Sequence, residues 1–294
     1  MTQTLSISII IHTLNEEKNL PFALESLKGR FSEIFVVDAG SSDGTEDVCS
    51  RYDVQFIKIQ DFLKIQGDRS TLVEQRNWAL ENLKFSYDWV YIVDADEQMT
   101  AELYDELKGV MADGGPPESI DGYLVRYKEI ILGRWIKRAG FYPNWGIRLI
   151  RHNAVRHESR SVNSHLKVDP ERTERLSTHF IHDDKRGFHA YIKRLGSVST
   201  IEAETIDEIY VDKADQIKGS FISSNPLERR RALKKLFNRL PGRPLIAFLY
   251  LYGFRMGFLE GWPGFYAAYL RMTHEIFVSA LKYDARIKDT NDND

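Results

Sequence analysis

The stretch Trp89-Val90-Tyr91-Ile92-Val93-Asp94-Ala95-Asp96-Glu97 is an apolar run that ends abruptly on carboxylates. A short run of branched and aromatic residues reads as a buried strand of a parallel sheet, and ligands of open α/β sheets gather at the carboxyl ends of such strands. Asp94 and Asp96 therefore stand where chemistry is expected. Alternate residues of an extended chain point the same way, so both carboxylates are placed to face one hard cation, with Ala95 small enough for close approach. Mg²⁺ or Mn²⁺ held together with a diphosphate suits such a site. An isolated Asp-x-Asp is more often plain turn or cap chemistry. What argues against that here is the pattern of the remaining chain.

Leu5 to Ile11 reads as a first strand, followed by the polar turn His12-Thr13-Leu14-Asn15-Glu16-Glu17 that opens a helix. Asn15 is the expected cap, and the acidic residues after it suit the positive end of the helix dipole. Leu20, Ala23, Leu24 and Leu27 fall at helical spacing, and Gly29 ends the helix. A second strand, Glu33 to Val37, runs into Asp38-Ala39-Gly40-Ser41-Ser42-Asp43-Gly44-Thr45, and Val54 to Ile59 makes a third. Strands alternating with helices argue for βαβ units and a mostly parallel sheet. Asp38 is placed to accept from a base N–H or a ribose hydroxyl, and Arg76, in Gln75-Arg76-Asn77, offers a forked donor for phosphate or carboxylate. Taken singly, each loop is ordinary turn chemistry and Arg76 a solvated helix charge. Neither a P-loop nor a dinucleotide fingerprint is present, which argues against a doubly wound oxidoreductase.

At 294 residues the chain can bury a large core, and a formal net charge of −3 offers no overall reason to expect nucleic acid. The single cysteine, Cys49, excludes an internal disulfide framework and a cysteine-based zinc site. The amino terminus lacks a basic region before its short apolar run, and no stretch has the roughly 20 apolar residues of a spanning helix. The expected location is the cytoplasm.

Asp113-Gly114-Gly115-Pro116-Pro117 is a breaker, and beyond it Leu132-Gly133-Arg134-Trp135 and Tyr142-Pro143-Asn144-Trp145 interleave aromatics with arginines. That composition suits either a sugar-stacking platform or a core edge with snorkelling charges, and spacing does not separate the two. His157-Glu158 and the cluster His179, His182, Asp183 and Asp184 are the titratable groups of this half. Glu158 is the candidate base for an acceptor hydroxyl, and His182 or His157 the candidate to complete an oxygen-rich metal shell around Asp96. The plainer reading of each is a solvated or hydrogen-bonded structural residue.

The segments Ile9 to Glu17, Val36 to Thr45, Gln75-Arg76-Asn77 and Asp94 to Glu97 resemble, in order and spacing, the family 2 glycosyltransferases of the GT-A fold. Four weak motifs in the right order make one strong signal. The resemblance implies that Thr13, Glu16 and Asp38 surround the nucleobase and ribose of a nucleotide sugar. It further implies that Arg76 lies near the ribose or diphosphate, Asp94 near the sugar nucleotide and Asp96 on the metal. His12 stands where many relatives have proline. Within the family, Leu132 to Trp135, Tyr142-Pro143, Arg148-Leu149, His157-Glu158 and Gly257 to Gly264 resemble bacterial lipopolysaccharide-core β-glucosyltransferases and similar cell-envelope enzymes.

Arg229-Arg230-Arg231, Lys234-Lys235, Arg239 and Arg243 precede a nearly continuous apolar stretch, Pro244 to Phe254. Basic beside aromatic and aliphatic residues is the composition of a helix lying in the headgroup layer of an anionic membrane; a packed helical pair with a solvated basic face is the alternative. The expected fold is therefore an α/β GT-A-type domain, its mostly parallel nucleotide-binding sheet flanked by helices, with a C-terminal helical membrane-associating extension. The expected divisions are a donor half over 1–112, an acceptor half over 113–222, a basic and aromatic extension over 223–288 and a disordered tail over 289–294. The expected activity is inverting, Mg²⁺- or Mn²⁺-dependent transfer of a hexose from a nucleoside diphosphate sugar, UDP-linked in the first instance, to a hydroxyl of a lipid-linked glycan such as lipopolysaccharide core, at the inner face of the cell membrane. Transfer onto a polyprenyl phosphate and a non-catalytic sugar-nucleotide-binding or assembly subunit are the alternatives.

Overall fold

The computed structural model describes residues 4–59, 72–154, 156–157, 166–211, 240 and 242–291. The chain divides into two compact units, Met1–Lys137 with Phe141–Gly187, and Arg138–Gly140 with Phe188–Asp294.

The first unit is built on a mixed sheet. Its strands are β1 (Leu5–Thr13), β2 (Phe31–Asp38), β3 (Gln55–Lys58), β4 (Trp89–Asp94), β5 (Glu97–Gln98), β6 (Gly122–Ile131), β7 (Arg134–Trp135), β8 (Asn144–Arg151) and β11 (Thr173–His182), with β9 (Arg156–His157) and β10 (Leu166–Lys167) forming a separate pair. The order is β3-β2-β1-β4-β8-β6-β11-β5, with β7 beside β6. The β3-β2-β1-β4 half is parallel throughout; β8 then runs antiparallel to both β4 and β6, while β11 lies parallel to β6. Among the described residues, the α-helices of this unit are α1 (Leu20–Leu27), α2 (Thr45–Cys49), α3 (Leu72–Asn82) and α4 (Ala101–Val110).

The centre of the sheet is buried on both faces, which is why β4 reads as an uninterrupted apolar run from Trp89 to Val93 rather than an alternating one. Ile9, Ile11, Val36 and Val93 join Leu20, Leu24 and Leu27 of α1 and Leu103 and Leu107 of α4 on one side. Ile10, Val37 and Ile92 join Ala79 and Leu80 of α3 on the other. Each fully buried aliphatic side chain contributes roughly 1.5–3 kcal/mol. Glu33, a carboxylate inside β2, is tolerated because Ser8 Oγ, Ser86 N and Ser86 Oγ all donate to it.

The helix after β1 begins later than its acidic residues suggest. Asn15 has φ +58° and is not the cap; Asn19 occupies that position, with Pro21 in the first turn. Asn15 Oδ1 instead accepts from the Ser42 amide at 2.8 Å, tying the loop after β1 to the loop after β2.

One short pairing places the site. At the carboxyl end of β11, Ile181 and His182 lie opposite Gln98 and Glu97 of β5. The end of β11 is thereby fixed against the turn that follows β4.

The second unit is helical, with α5 (Phe188–Val211), α6 (Arg243–Phe248), a π turn (Leu249–Phe254), a 3₁₀ turn (Gly257–Glu260) and α7 (Gly261–Asn291). α5 is joined to α7 through His274, whose Nδ1 lies 2.8 Å from Ser199 Oγ and whose Nε2 lies 2.8 Å from Glu202 Oε2. Arg243, expected to face anionic headgroups, is instead buried against Glu275 at 3.3 Å. The rest of the basic run lies outside the described residues. α7 continues to Asn291, into the stretch expected to be a disordered tail. Among the described residues no helix is long and apolar enough to cross a membrane.

Candidate active site

The loops after β1 and β2 lie side by side because Thr13 and Asp38 are partners in the parallel register. Asp38 is buried and accepts four hydrogen bonds: from Thr13 Oγ1 at 3.0 Å, from the Gly40 and Ser41 amides at 2.9 and 2.8 Å, and from Ser41 Oγ. It thus anchors its own loop, and Gly40, at φ +99°, makes the turn that brings the two amides onto it. The Glu16 amide donates to Thr45 Oγ1 at 2.9 Å, closing the two loops upon each other.

Glu16 turns toward a second group of residues from the far end of the unit. Arg186 donates to Glu16 Oε1 at 2.7 Å and also grips Asp184 at 2.7 Å. Asn19 Nδ2 bridges the same two carboxylates at 2.7 and 3.1 Å, and Asn19 Oδ1 accepts from the Lys185 amide at 2.6 Å. Burial pushes Glu16 up to about 7 in spite of Asn19 and Arg186. Asp184 is also burdened by burial, but Arg186 and Asn19 outweigh it and draw the group down to about 2.

At the end of β4 each carboxylate has its own partners. Asp94 is gripped by Arg76 of α3 and by Arg148 of β8, the latter at 3.2 Å; Arg148 also holds Glu97. Burial opposes ionisation of Asp94, yet Arg76 and Arg148 outweigh it and hold the carboxyl far below its ordinary range. Glu97, buried beside Asp94, is pushed up to about 7 although Arg148 pulls the other way. Burial also disfavours the Arg148 charge, but Glu97 and Asp94 prevail and raise its affinity for the proton. Arg76 and Arg148 each keep a buried Nε–H without a hydrogen-bond partner among the described residues.

Asp96 faces His182. His182 Nε2 lies 3.3 Å from Asp96 Oδ2, and its Nδ1 lies 3.0 Å from both oxygens of Glu129. Burial alone would lower the His182 pKa, but Asp96 and Glu129 outweigh it and raise it well above the ordinary value. Among the described residues no three His, Cys, Asp or Glu side chains converge on one point. Asp96 and His182 nevertheless offer an oxygen and a nitrogen 3.3 Å apart, near the ~3 Å between adjacent ligands of an octahedral ion bound at about 2.1 Å. Magnesium commonly draws one or two protein ligands and completes its shell with phosphate and water, so the residues present fit a divalent cation.

Thr13 and Asp38 therefore meet in one cluster, Glu16 faces Arg186, and Arg76 with Asp94 and His182 with Asp96 form two further pairs. Glu158 and the side chain of His157 lie outside the described residues. Arg148, Glu129 and Arg186 were not expected in the site. The signal for the first two was a charged residue inside a half-buried strand; Arg186 gave none, because it stands in a polar stretch where a solvated arginine is ordinary.

A parallel half-sheet with carboxylates, arginines and an imidazole gathered at its carboxyl ends defines an α/β fold whose candidate site lies at the strand ends. Residues 8–165 match the model of Glycosyl transferase family 2, and the chain belongs to that family. It is 29% identical over 176 residues to the lipopolysaccharide core biosynthesis glycosyltransferase LpsC of Rhizobium meliloti (strain 1021), a stretch covering 58% of this chain and 60% of LpsC. It is 32% identical over 109 residues to an uncharacterized glycosyltransferase of Rickettsia conorii, covering 37% of this chain and 35% of that one. The matches thus span less than two thirds of either relative. Among solved structures, glucosyl-3-phosphoglycerate synthase from Mycobacterium tuberculosis with Mn²⁺, UDP and phosphoglyceric acid aligns over 70% of this chain and 78% of its own, at 18% identity and a TM-score of 0.44.

Proposed function

We propose that this chain is an inverting, divalent-metal-dependent glycosyltransferase that moves a hexose from a nucleoside diphosphate sugar to a hydroxyl of a lipid-linked cell-envelope glycan. The observation that carries the reading is the convergence at one sheet edge of Asp94 on two arginines and Asp96 on His182, in a chain of this family. Residues 1–112 supply the donor side, with Thr13, Glu16 and Asp38 toward base and ribose and Arg76 and Asp94 toward the diphosphate and sugar. Residues 113–222 supply the acceptor side.

In the single displacement, the acceptor oxygen forms a bond to the anomeric carbon as the bond from that carbon to the diphosphate oxygen breaks. Glu158 takes the proton from the acceptor hydroxyl, and the negative charge leaves on the nucleoside diphosphate. Arg76 lies beside Asp94 with an unused N–H and lowers the barrier by meeting that charge. Asp96 and His182, with His157 as the other candidate, would hold Mg²⁺ or Mn²⁺, which when bound supplies further positive charge to the leaving diphosphate. His182 would bind the ion as the neutral imidazole.

The second unit supports a peripheral position on the inner face of the membrane. Phe254 and Trp262 are 78% and 71% exposed, and Leu245, Leu249 and Phe258 beside them are also exposed. Apolar side chains gathered at this density mark a docking face, and a bilayer presenting the lipid-linked acceptor is the partner proposed.

Titration calorimetry with UDP-, GDP- and dTDP-linked sugars, each with and without Mn²⁺ or Mg²⁺, tests the site. Wild type is expected to bind one donor in a metal-dependent way, and Asp96→Ala to lose that binding while keeping its fold. Wild type that binds no donor would turn the reading to a non-catalytic subunit. Glu158→Gln is expected to lower turnover with donor affinity unchanged. Unchanged turnover would remove the base and favour a polyprenyl phosphate acceptor, which is already an anion.

A further inference from the structure

Alternation along β6 separates two kinds of chemistry. Tyr127 stacks on Phe180 at 5.3 Å and Glu129 meets His182, so these two residues face the candidate active site. Arg126 and Lys128, one residue out of step, point to the opposite face of the sheet.

On that face, positive charges sit against aromatic rings in a continuous row. Lys128 and Lys137 place their ammonium groups 4.7 and 4.6 Å from the centroid of Trp135. Tyr142 meets the same indole edge-on at 5.3 Å. The Arg126 guanidinium lies 5.8 Å from Tyr142 and 5.7 Å from Trp145, and the Arg175 guanidinium lies 5.2 Å from Trp145. Cations over ring faces are held in place without being neutralised.

None of the four has a carboxylate within 4.0 Å among the described residues, and Arg126 spends one N–H on the Ser177 carbonyl. The acid that senses the row is Glu102, an exposed residue of α4 whose charge reaches Lys128 and His179. Burial first, then Lys128 and Arg126, lower the pKa of His179, which stacks on Trp135 at 6.2 Å, while Glu102 opposes them. Three buried nitrogens here, Arg126 Nε, Trp135 Nε1 and His179 Nε2, have no hydrogen-bond partner among the described residues. The first two can only donate. Uncompensated charge and unmet donors on one face demand an acceptor that carries negative charge.

We propose that this row is a binding site for an anionic saccharide, its phosphate or carboxylate held by Lys128, Lys137 and Arg126 and its ring lying along Trp135 and Tyr142. The site is separate from Tyr127, Glu129 and His182 on the other face of the sheet. That its ligand is part of the acceptor glycan rests on the transferase reading; that it takes a sugar-borne anion does not.

The test is titration calorimetry of the full chain with glucose 6-phosphate, glucuronate, inorganic phosphate and methyl glucoside, against wild type and the Lys128→Gln/Lys137→Gln variant. One or both sugar anions are expected to bind wild type more tightly than inorganic phosphate does, neutral methyl glucoside not to bind, and the variant to bind about tenfold more weakly. Trp135→Phe, which keeps an aromatic face but loses the indole N–H, is expected to weaken binding less than the double variant. Inorganic phosphate binding as tightly as both sugar anions would remove the saccharide and overturn the proposal, as would equal affinities in wild type and variant or no binding of any anion. Titration of the variant with the nucleotide sugars separates the two readings: lysine-dependent anion binding by a chain that binds no nucleotide sugar would leave this site standing and the transferase reading fallen.

Discussion

Glu16 is held by two groups that favour its charge, yet it stays buried enough that its pKa rises from 4.5 to about 7. The consequence for stability has a definite sign. Between about pH 4.5 and 7 the unfolded chain releases this proton while the folded chain keeps it, so the contribution of Glu16 is full at low pH and declines as pH rises through that interval. Glu16→Gln removes the titration. The difference in unfolding free energy, wild type minus variant, is expected to fall across this window with a slope of at most one proton, as measured by urea denaturation at a series of pH values. A difference that grows with pH would show that the Arg186 pair, and not burial, governs the residue. Asp94, Asp96 and Arg76 stand out in the sequence only through the order of four motifs, since each taken singly reads as turn chemistry or a solvated helix charge. Asn19 is not legible: it is buried and joins Glu16, Asp184 and Lys185, residues more than 160 positions apart, and local composition carries no trace of that closure.

The strands and helices of the first unit follow from their apolar spacing, and α1 buries Leu20, Ala23, Leu24 and Leu27 as that spacing requires. The second unit is less readable. Pro244 to Phe254 reads as one apolar stretch but breaks into a helix and a π turn, and a left-handed Met256 at φ +56° then redirects the chain. Just beyond this turn the backbones approach closely: a Cβ on Gly264 would stand 2.2 Å from the Gly257 carbonyl oxygen and 2.6 Å from Glu260 Cβ. Gly264→Ala is therefore expected to destabilise the protein by ~1–3 kcal/mol, since neither neighbour is a flexible side-chain end. Gly196, inside α5, has nothing within 4 Å of its missing Cβ. Gly196→Ala is expected to stabilise by about 0.5–1 kcal/mol, because alanine loses less backbone freedom in a helix. Thermal melts of the two variants check both signs.

At the scale of the molecule, the two units carry different surfaces. The first presents charge: the carboxylate and arginine cluster at its strand ends and the cationic row on β6. The second presents Phe254, Trp262 and their apolar neighbours. Phe254→Ser/Trp262→Ser is expected to reduce co-sedimentation with anionic phospholipid vesicles severalfold and leave nucleotide-sugar affinity unchanged. Equal pelleting of variant and wild type would remove the membrane from the proposal. The aromatic and basic composition of this region is visible in the sequence, but the burial of Arg243 against Glu275 is not, since an arginine at the end of a basic run looks solvated until its partner 32 residues later is placed.

The pairing of His182 with Glu97 makes the site a matter of timing on the ribosome. Asp96 emerges 86 residues before the imidazole that faces it, since 182 − 96 = 86. At about 5–20 residues per second the nascent chain spends ~4–17 s with its parallel half-sheet synthesised and its acidic turn exposed. During that interval the partial chain lacks one of the two proposed metal ligands, which arrives only once β11 has been made and laid beside β6.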